Sequence, residues 1–360
     1  MEAHAFEGGS GRPTTCPPML LTLWTYAISR GVGSAREIER LTESDVAYRW
    51  IVGNQRVSRA TIASFRVEQL SALEGLLTDI LAALMEQGVL SLETVAVDGM
   101  RPRASASAPS FRRDATLQEL REQAALHLKA VLSEADDPSI SAKRQAAREA
   151  KARDFERRVE AAIEVVGQLR EQRRPGSKPA RASTTDAEAR VMKMADGGFR
   201  PGLNVLMATA GDGMGGPRTI VAVAVNNVGS DMGTLAPMVD QIERRTGALP
   251  GQVLADANHA NHDAITTLTK RGVEVLVPVP ERTRESGGTP EIEAWKHRMQ
   301  TPEAQQAYRT RASLCELTNA NARRMGMTQL LVRGVAKATS VALLTAITHD
   351  VLTHAAVLLT

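Results

Sequence analysis

The chain has few aromatic side chains: Phe, Tyr and Trp make up 3% of its 360 residues. Stacking successive bases of a single strand needs repeated rings, so this composition argues against such a platform. Cysteine is nearly absent as well. Cys16 and Cys315 stand far apart and no Cys-x-x-Cys occurs, which argues against a disulfide framework and fits a reduced, cytoplasmic protein. Nothing at the start reads as a signal peptide, because Met1 to Pro18 is polar and rich in Gly and Pro. The most apolar stretch, Val335 to Leu359, is interrupted by Lys337, His349, Asp350 and His354. It reads as a buried helix and not as a membrane span. No Ser/His/Asp or Cys/His arrangement stands out. The Gly-rich run Gly211 to Gly216 lacks the Lys-Ser/Thr ending of a phosphate loop.

What is present is ordinary in amount and uneven in placement. Hydrophobic residues are 43% and charged residues 24%, as in soluble globular proteins of one or two domains. The net charge is only +3, but from Ser141 to Arg181 there are 12 Lys/Arg against 6 Asp/Glu. Clustered basicity points to a polyanionic partner.

Three organisational zones follow. Residues 1–17 read as disordered. Residues 18–92 read as short helices: Ser34-Ala-Arg-Glu37 is a capping box, Ser44 or Asp45 and then Ser58 or Thr61 are further starts, and Gly53-Asn54 is a turn. The pattern fits either a helix-turn-helix unit or a small helical packing domain. From residue 93 to 360 the pattern is mixed α/β, interrupted at about 112–180 by two long charged helices. Its strands are residues 92–98, then a hairpin of Leu203 to Ala210 and Thr219 to Val228, then Gln252 to Asp256 and Val273 to Val279. This order predicts a mixed sheet flanked by helices. A short helix is expected after Thr185-Asp186, and one long final helix from Thr328.

Three acidic residues carry the chemistry. Thr94-Val-Ala-Val-Asp98-Gly places a carboxylate where a strand meets a Gly turn, and Gln252-Val-Leu-Ala-Asp256 does the same further on. Glu316 is the lone acid between Tyr308 and Lys337, among Arg309, Arg311, Arg323, Arg324, Arg333 and Lys337. Each acid alone has an ordinary reading, as a turn former, a helix cap or a solvated helix residue. Together, converging carboxylates would repel, and a divalent cation removes that conflict. Two such ions are the usual equipment for in-line displacement at phosphorus. Arg309, Glu316 and Arg323, seven apart, share a helix face that suits a ligand beside a phosphate backbone. His259-Ala-Asn-His262 has helical metal-ligand spacing but lacks partners for a zinc set, so it is expected as an exposed helix N-terminus.

Several stretches together resemble a known family. They are Ser183 to Asn204, Ala96-Val-Asp-Gly-Met, Arg103-Ala-Ser-Ala-Ser, Tyr308-Arg-Thr-Arg311 ahead of Glu316, Leu331-Val-Arg-Gly334 and, near the start, Asp45-Val-Ala-Tyr-Arg-Trp50 with Thr61 to Arg66. The chain resembles bacterial DDE-type insertion-sequence transposases from about residue 11 to its end. It departs from them in Ala257-Asn258 after the second Asp, where Gly is usual, and in beginning later than most members.

The resemblance implies a ribonuclease-H-like core with Asp98, Asp256 and Glu316 as catalytic ligands of two Mg²⁺ (or Mn²⁺) ions. It also implies cleavage at element ends and strand transfer into a target. Arg101, Arg103, Arg309, Arg311 and Arg323 are the expected phosphate contacts. The expected partners are double-stranded DNA, as terminal inverted repeats and target, and further copies of the chain in a homodimer or larger assembly, on the bacterial nucleoid and away from membranes. The competing reading is a truncated, catalytically inactive remnant that only binds DNA.

Overall fold

The computed structural model describes residues 15–134, 140–173, 176, 178–281 and 288–358. The stretch expected as disordered therefore lies outside the described residues as far as residue 14, as do most of the polar loop after Glu281 and the centre of the break between the two long helices.

The N-terminal helices are α1 (Pro17–Ser29), α2 (Ala35–Ser44), α3 (Val46–Ile51), α4 (Arg59–Glu68) and α5 (Leu70–Glu86). Ser34 caps α2 as expected, and of the paired candidates Asp45 caps α3 and Ser58 caps α4. Ser34 accepts from the Glu37 N–H, Asp45 from those of Ala47 and Tyr48, and Ser58 from that of Thr61. The turn at Gly53-Asn54 is built from two left-handed residues, φ 61° and 56°. Trp24 is fully buried and its indole N–H donates to the Ile62 carbonyl at 2.9 Å. The buried Arg66 guanidinium stacks 4.7 Å from the Trp24 ring centre and donates to the Gly33 carbonyl at 2.7 Å. Burial pulls its pKa down to about 10.

The remaining elements are β1 (Thr94–Met100), β2 (Phe111–Arg112), α6 (Asp114–Ser133), α7 (Ala142–Glu171), β3 (Ala182–Ser183), β4 (Arg190–Lys193), β5 (Phe199–Gly202), β6 (Asn204–Ala210), β7 (Thr219–Asn226), α8 (Leu235–Thr246), β8 (Gln252–Leu254), α9 (His262–Lys270), β9 (Glu274–Leu276), α10 (Pro290–Arg298), α11 (Pro302–Arg324), α12 (Val335–Thr353) and α13 (Ala355–Leu358).

The chain divides into two compact units. The first holds Met1–Pro102, Asn204–Gln329 and Ala336–Thr360; the second holds Arg103–Leu203 and Leu330–Val335. In the first unit one sheet has the order β7-β6-β1-β8-β9. β1, β6 and β7 are antiparallel neighbours, and β8 and β9 add to β1 in parallel. This is the mixed, helix-flanked, ribonuclease-H-like sheet. Its central strands are mostly apolar, and every residue of β6 is buried, as expected of strands covered on both faces.

In the second unit α6 and α7 form the charged hairpin, closing on Leu117, Ala124, Leu128 and Val131 of one helix and Ala152, Val159, Ala162 and Val166 of the other. Two small ribbons, β2–β3 and β4–β5, complete it. The Leu330–Val335 segment joins them through Leu330 N–H to the Arg103 carbonyl and Gly334 N–H to Asp186 Oδ2.

Four local expectations differ from the structure. Asp98-Gly99 is not a turn; β1 continues to Met100, with Gly99 opposite Leu206. Glycine is needed there because a Cβ would lie 2.9 Å from Asp231 Oδ1 and 3.0 Å from Asn204 Oδ1. No helix follows Asp186, because its carboxylate is taken by the N–H groups of Glu188 and Gly334 in a turn. Helix α10 was not foreseen, and the last long helix begins at Val335, not at Thr328.

Helix α12 is long and apolar enough to span a membrane by length and composition, and 61% of its apolar window is buried inside the protein. Its Asp350 is wholly buried, accepting from the Ile220 N–H and from His349 Nδ1–H, and His354 bonds Thr219. These groups tie α12 to strand β7 and serve the core.

Candidate active site

The site begins with strand register. β1 and β8 pair in parallel as Thr94↔Gln252, Val95↔Val253 and Ala96↔Leu254. Side chains alternate along a strand, so two residues further on the same face returns, and neighbouring strands are about 4.8 Å apart. Those residues are Asp98 and Asp256, and the chain at Asp256 is still extended (φ −76°, ψ 170°). The face they share is the one where Ala96, Leu254 and Leu276 pack against Leu314 and Cys315 of α11. Two carboxylates thus project side by side at the strand ends, under a helix.

Helix α11 presents Arg311, Cys315 and Asn319 from successive turns. Arg311 donates to Asp98 Oδ1 at 2.9 Å and Asn319 Nδ2 donates to Asp98 Oδ2 at 2.8 Å. Asp256 is held instead by its own loop. Its carboxylate accepts from Asn258, through the backbone N–H and Nδ2 (both 3.0 Å), and from His259 Nδ1 at 2.9 Å.

The electrostatics of the two acids differ in sign. Burial pushes the Asp98 carboxyl above its usual value; Arg311 opposes this, and the nearby Asp256 charge adds to it. Burial also acts on Asp256, but the His259 hydrogen bond and charge, with Arg311 and the Asn258 N–H, hold it below its usual value. At Arg311, burial alone would weaken the charge; Asp98, with Cys315, Tyr308 and Asp256, holds its pKa above the usual value. Cys315 is buried and its thiol is pushed up to about 12, first by burial and then by Asp98. It is a neutral side chain at neutral pH.

Glu316 does not join the two aspartates. Among the described residues no group of three His, Cys, Asp or Glu side chains is placed to hold a metal ion. Glu316 is exposed, as are Arg309 and Arg323 on the same stripe. The reason is helical phase. Adjacent helix residues are turned by about 100°, and Cys315, not Glu316, takes the inward position. The stripe expected to face the ions is the outer face of α11.

The other expected phosphate contacts are spread out. Arg101 is half-buried and donates to the Gly229 carbonyl at 3.0 Å, with Asp231 Oδ2 3.9 Å away. Arg103 is exposed and belongs to the second unit. Arg311 is engaged with Asp98 and is no surface cation. Beside α11, Pro278, Val279, Lys296, Met299, Tyr308 and Arg309 line a cavity of about 590 Å³.

His259 was expected at an exposed helix start. It is instead wholly buried, because the short turn Ala257–His259 folds it back beneath Asp256. Its Nε2 is buried without a hydrogen-bond partner among the described residues. The signal for it was the i,i+3 spacing from a strand-end Asp. Asn319 lies one turn from Glu316 and on that count belonged to the same stripe, but it is buried and turned to Asp98; Cys315 had no comparable signal.

The donor set fits a hard cation at the Asp98–Asp256 pair. Two adjacent carboxylates are the ligands Mg²⁺ takes when substrate phosphate and water complete the shell, and the protonated Cys315 offers no thiolate. A third carboxylate from Glu316 would have to come from the exposed stripe.

Comparison with known families gives two matches. Residues 2–68 match the model described as Transposase domain (DUF772), and residues 171–350 match that described as Transposase DDE domain. The second match contains Asp256, Glu316 and the whole of α11, while Asp98 lies before it. No curated protein and no solved structure matches the chain.

Proposed function

Because this chain belongs to the insertion-sequence transposases with a DDE domain, we propose that it cuts DNA phosphodiester bonds at the ends of its element and joins those ends to target DNA. The observation that carries the proposal is the parallel β1–β8 register, which sets Asp98 beside Asp256 beneath α11. Asp98 and Asp256 would hold a Mg²⁺ or Mn²⁺ ion, which would supply Lewis-acid chemistry to the phosphoryl transfer.

The chain's own groups prepare that chemistry. His259 and Asn258 fix the orientation of the Asp256 carboxylate and leave it ionised. Arg311 and Asn319 fix Asp98 from the helix side. Arg309 and Arg323 lie exposed on α11 and Arg101 near the end of β1, where they contact DNA phosphates. Glu316, next to the inward-facing Cys315 on α11, is the carboxylate that would complete the triad. The N-terminal helices read the element ends, and the basic hairpin α6–α7 adds contacts without sequence preference, with two or more copies of the chain assembling on DNA. DNA affinity then falls steeply with added salt, as neutralised phosphates release counterions.

One observation favours a second reading, DNA binding without cleavage: Glu316 stands apart from the two aspartates. End cleavage in Mg²⁺ separates the two readings. Cleavage by the parent and its loss in Glu316→Gln, with DNA binding intact, supports the transposase chemistry. A parent that binds element ends and never cuts them supports the binding-only protein.

A further inference from the structure

Asp98 and Asp256 are restrained by different kinds of donor. Asp256 is bound by groups two and three residues away in sequence. Asp98 is bound by a permanent cation, Arg311, that reaches it from 213 residues away. The pair is well shielded: 17% of the Arg311 side chain and 23% of the Asp98 side chain are exposed, so salt screens it less than a surface pair. The guanidinium is not fully satisfied there. Its Nε is buried with no hydrogen-bond partner among the described residues, which lowers the cost of leaving.

We infer that Arg311 competes with the divalent cation for Asp98, acting as a built-in counter-cation that sets how tightly the site takes metal. This rests on the metal-dependent reading above. The physical argument is charge. A divalent ion coordinated by Asp98 would share Oδ1 with the Arg311 N–H or Oδ2 with the Asn319 amide, and by either oxygen it would meet the Arg311 charge on the same carboxylate. It also lies within a few ångströms of the Arg311 charge, at a place where water screens poorly. Arg311 thereby offsets the charge of the two adjacent acids before metal arrives, at the expense of metal affinity. Asn319 is neutral and imposes no such repulsion, so the competition belongs to Arg311 alone.

Mn²⁺ binding to the full-length chain, followed by loss of the free-ion electron paramagnetic resonance signal, tests this without any cleavage assay. Arg311→Met and Arg311→Gln remove the charge and keep most of the side-chain length. Each is expected to bind Mn²⁺ about tenfold more tightly than the parent, while Arg311→Lys stays within about twofold because the charge remains. Two neutral replacements guard against one that fails to fold, which thermal unfolding detects. Asp98→Asn removes a ligand and should lose the site. If the parent binds Mn²⁺ through Asp98 and both neutral variants bind equally or more weakly, Arg311 is only a structural partner and the inference falls while the metal reading stands. If no variant binds Mn²⁺, the metal reading falls and this inference with it.

Discussion

The strand end carrying Asp98 and the one carrying Asp256 look alike in sequence and behave oppositely in the fold. Both place a carboxylate after an apolar β run, on the same face of adjacent parallel strands. Asp256 draws its donors from Asn258 and His259, in the turn that follows it. Asp98 draws its donors from Arg311 and Asn319, brought in by α11 from more than 200 residues away. The outcome is a carboxyl held below its usual pKa at one strand end and above it at the other. A strand-end Asp does not have one chemistry; the donors that meet it decide.

The largest expected effect tests whether the two acids are functionally equal despite this contrast. Asp98→Asn and Asp256→Asn should each reduce end cleavage in Mg²⁺ to background while leaving DNA binding intact, measured by strand cleavage and gel shift on the same preparations. Glu316→Gln extends the comparison to the exposed helix face. Cleavage equal to the parent's would remove Glu316 from the proposed triad.

A smaller effect separates the local clamp from the long-range one. His259→Ala frees the Asp256 carboxylate and should lower the cleavage rate roughly 10- to 100-fold, the range for partners that orient a metal ligand. Asn319→Ala should cost less, because Arg311 still holds Asp98. The reverse order would mean that the helix side governs the site.

Stability against pH gives the opposite signs directly. Asp256 has a depressed pKa, so its contribution is present above the unfolded value of 3.8 and is lost as pH falls through the lower folded value. Asp98 has a raised pKa, so its ionised form opposes folding above 3.8 and that opposition disappears as pH falls below it. At neutral pH Asp256→Asn should therefore destabilise the protein more than Asp98→Asn, where relief of the buried charge offsets the loss of the Arg311 partner, by denaturant unfolding. Equal shifts would undo the contrast.

The smallest perturbation is chemical labelling. Cys315 is buried on the Asp98 side of the site and its thiol is pushed up to about 12, so it stays protonated and unreactive at pH 8. Alkylation of the native protein should modify the exposed Cys16 and spare Cys315 until unfolding. Rapid labelling of Cys315 in the native state would show that α11 does not lie over the acids as described.

The pattern of what could be read in advance follows the same divide. The caps Ser34, Asp45 and Ser58, the hairpin of β6 and β7, the α6–α7 pair and the positions of Asp98 and Asp256 are local signals, written in alternation, helical period or capping residues. The β2–β3 and β4–β5 ribbons were missed because two- and four-residue strands carry too little periodicity. The inner face of α11 was misjudged because a basic helix with one acid shows several plausible stripes. The heptad Arg309, Glu316, Arg323 was the more conspicuous, and the buried one runs through Arg311, Cys315 and Asn319.

The sequence by itself determined that two strands would end in aspartate and that a basic helix would follow. Period-two alternation and the turn residues after each run require only neighbours along the chain. Tertiary structure alone decided that the strands lie side by side in register, that His259 folds under Asp256, and that α11 turns Arg311 and Asn319 toward Asp98 while Glu316 faces outward. Those outcomes depend on which helix face buries Leu314 and Cys315 against Ala96 and Leu254. One residue of helical phase, about 100°, exchanges a carboxylate for a thiol at the position nearest the acids.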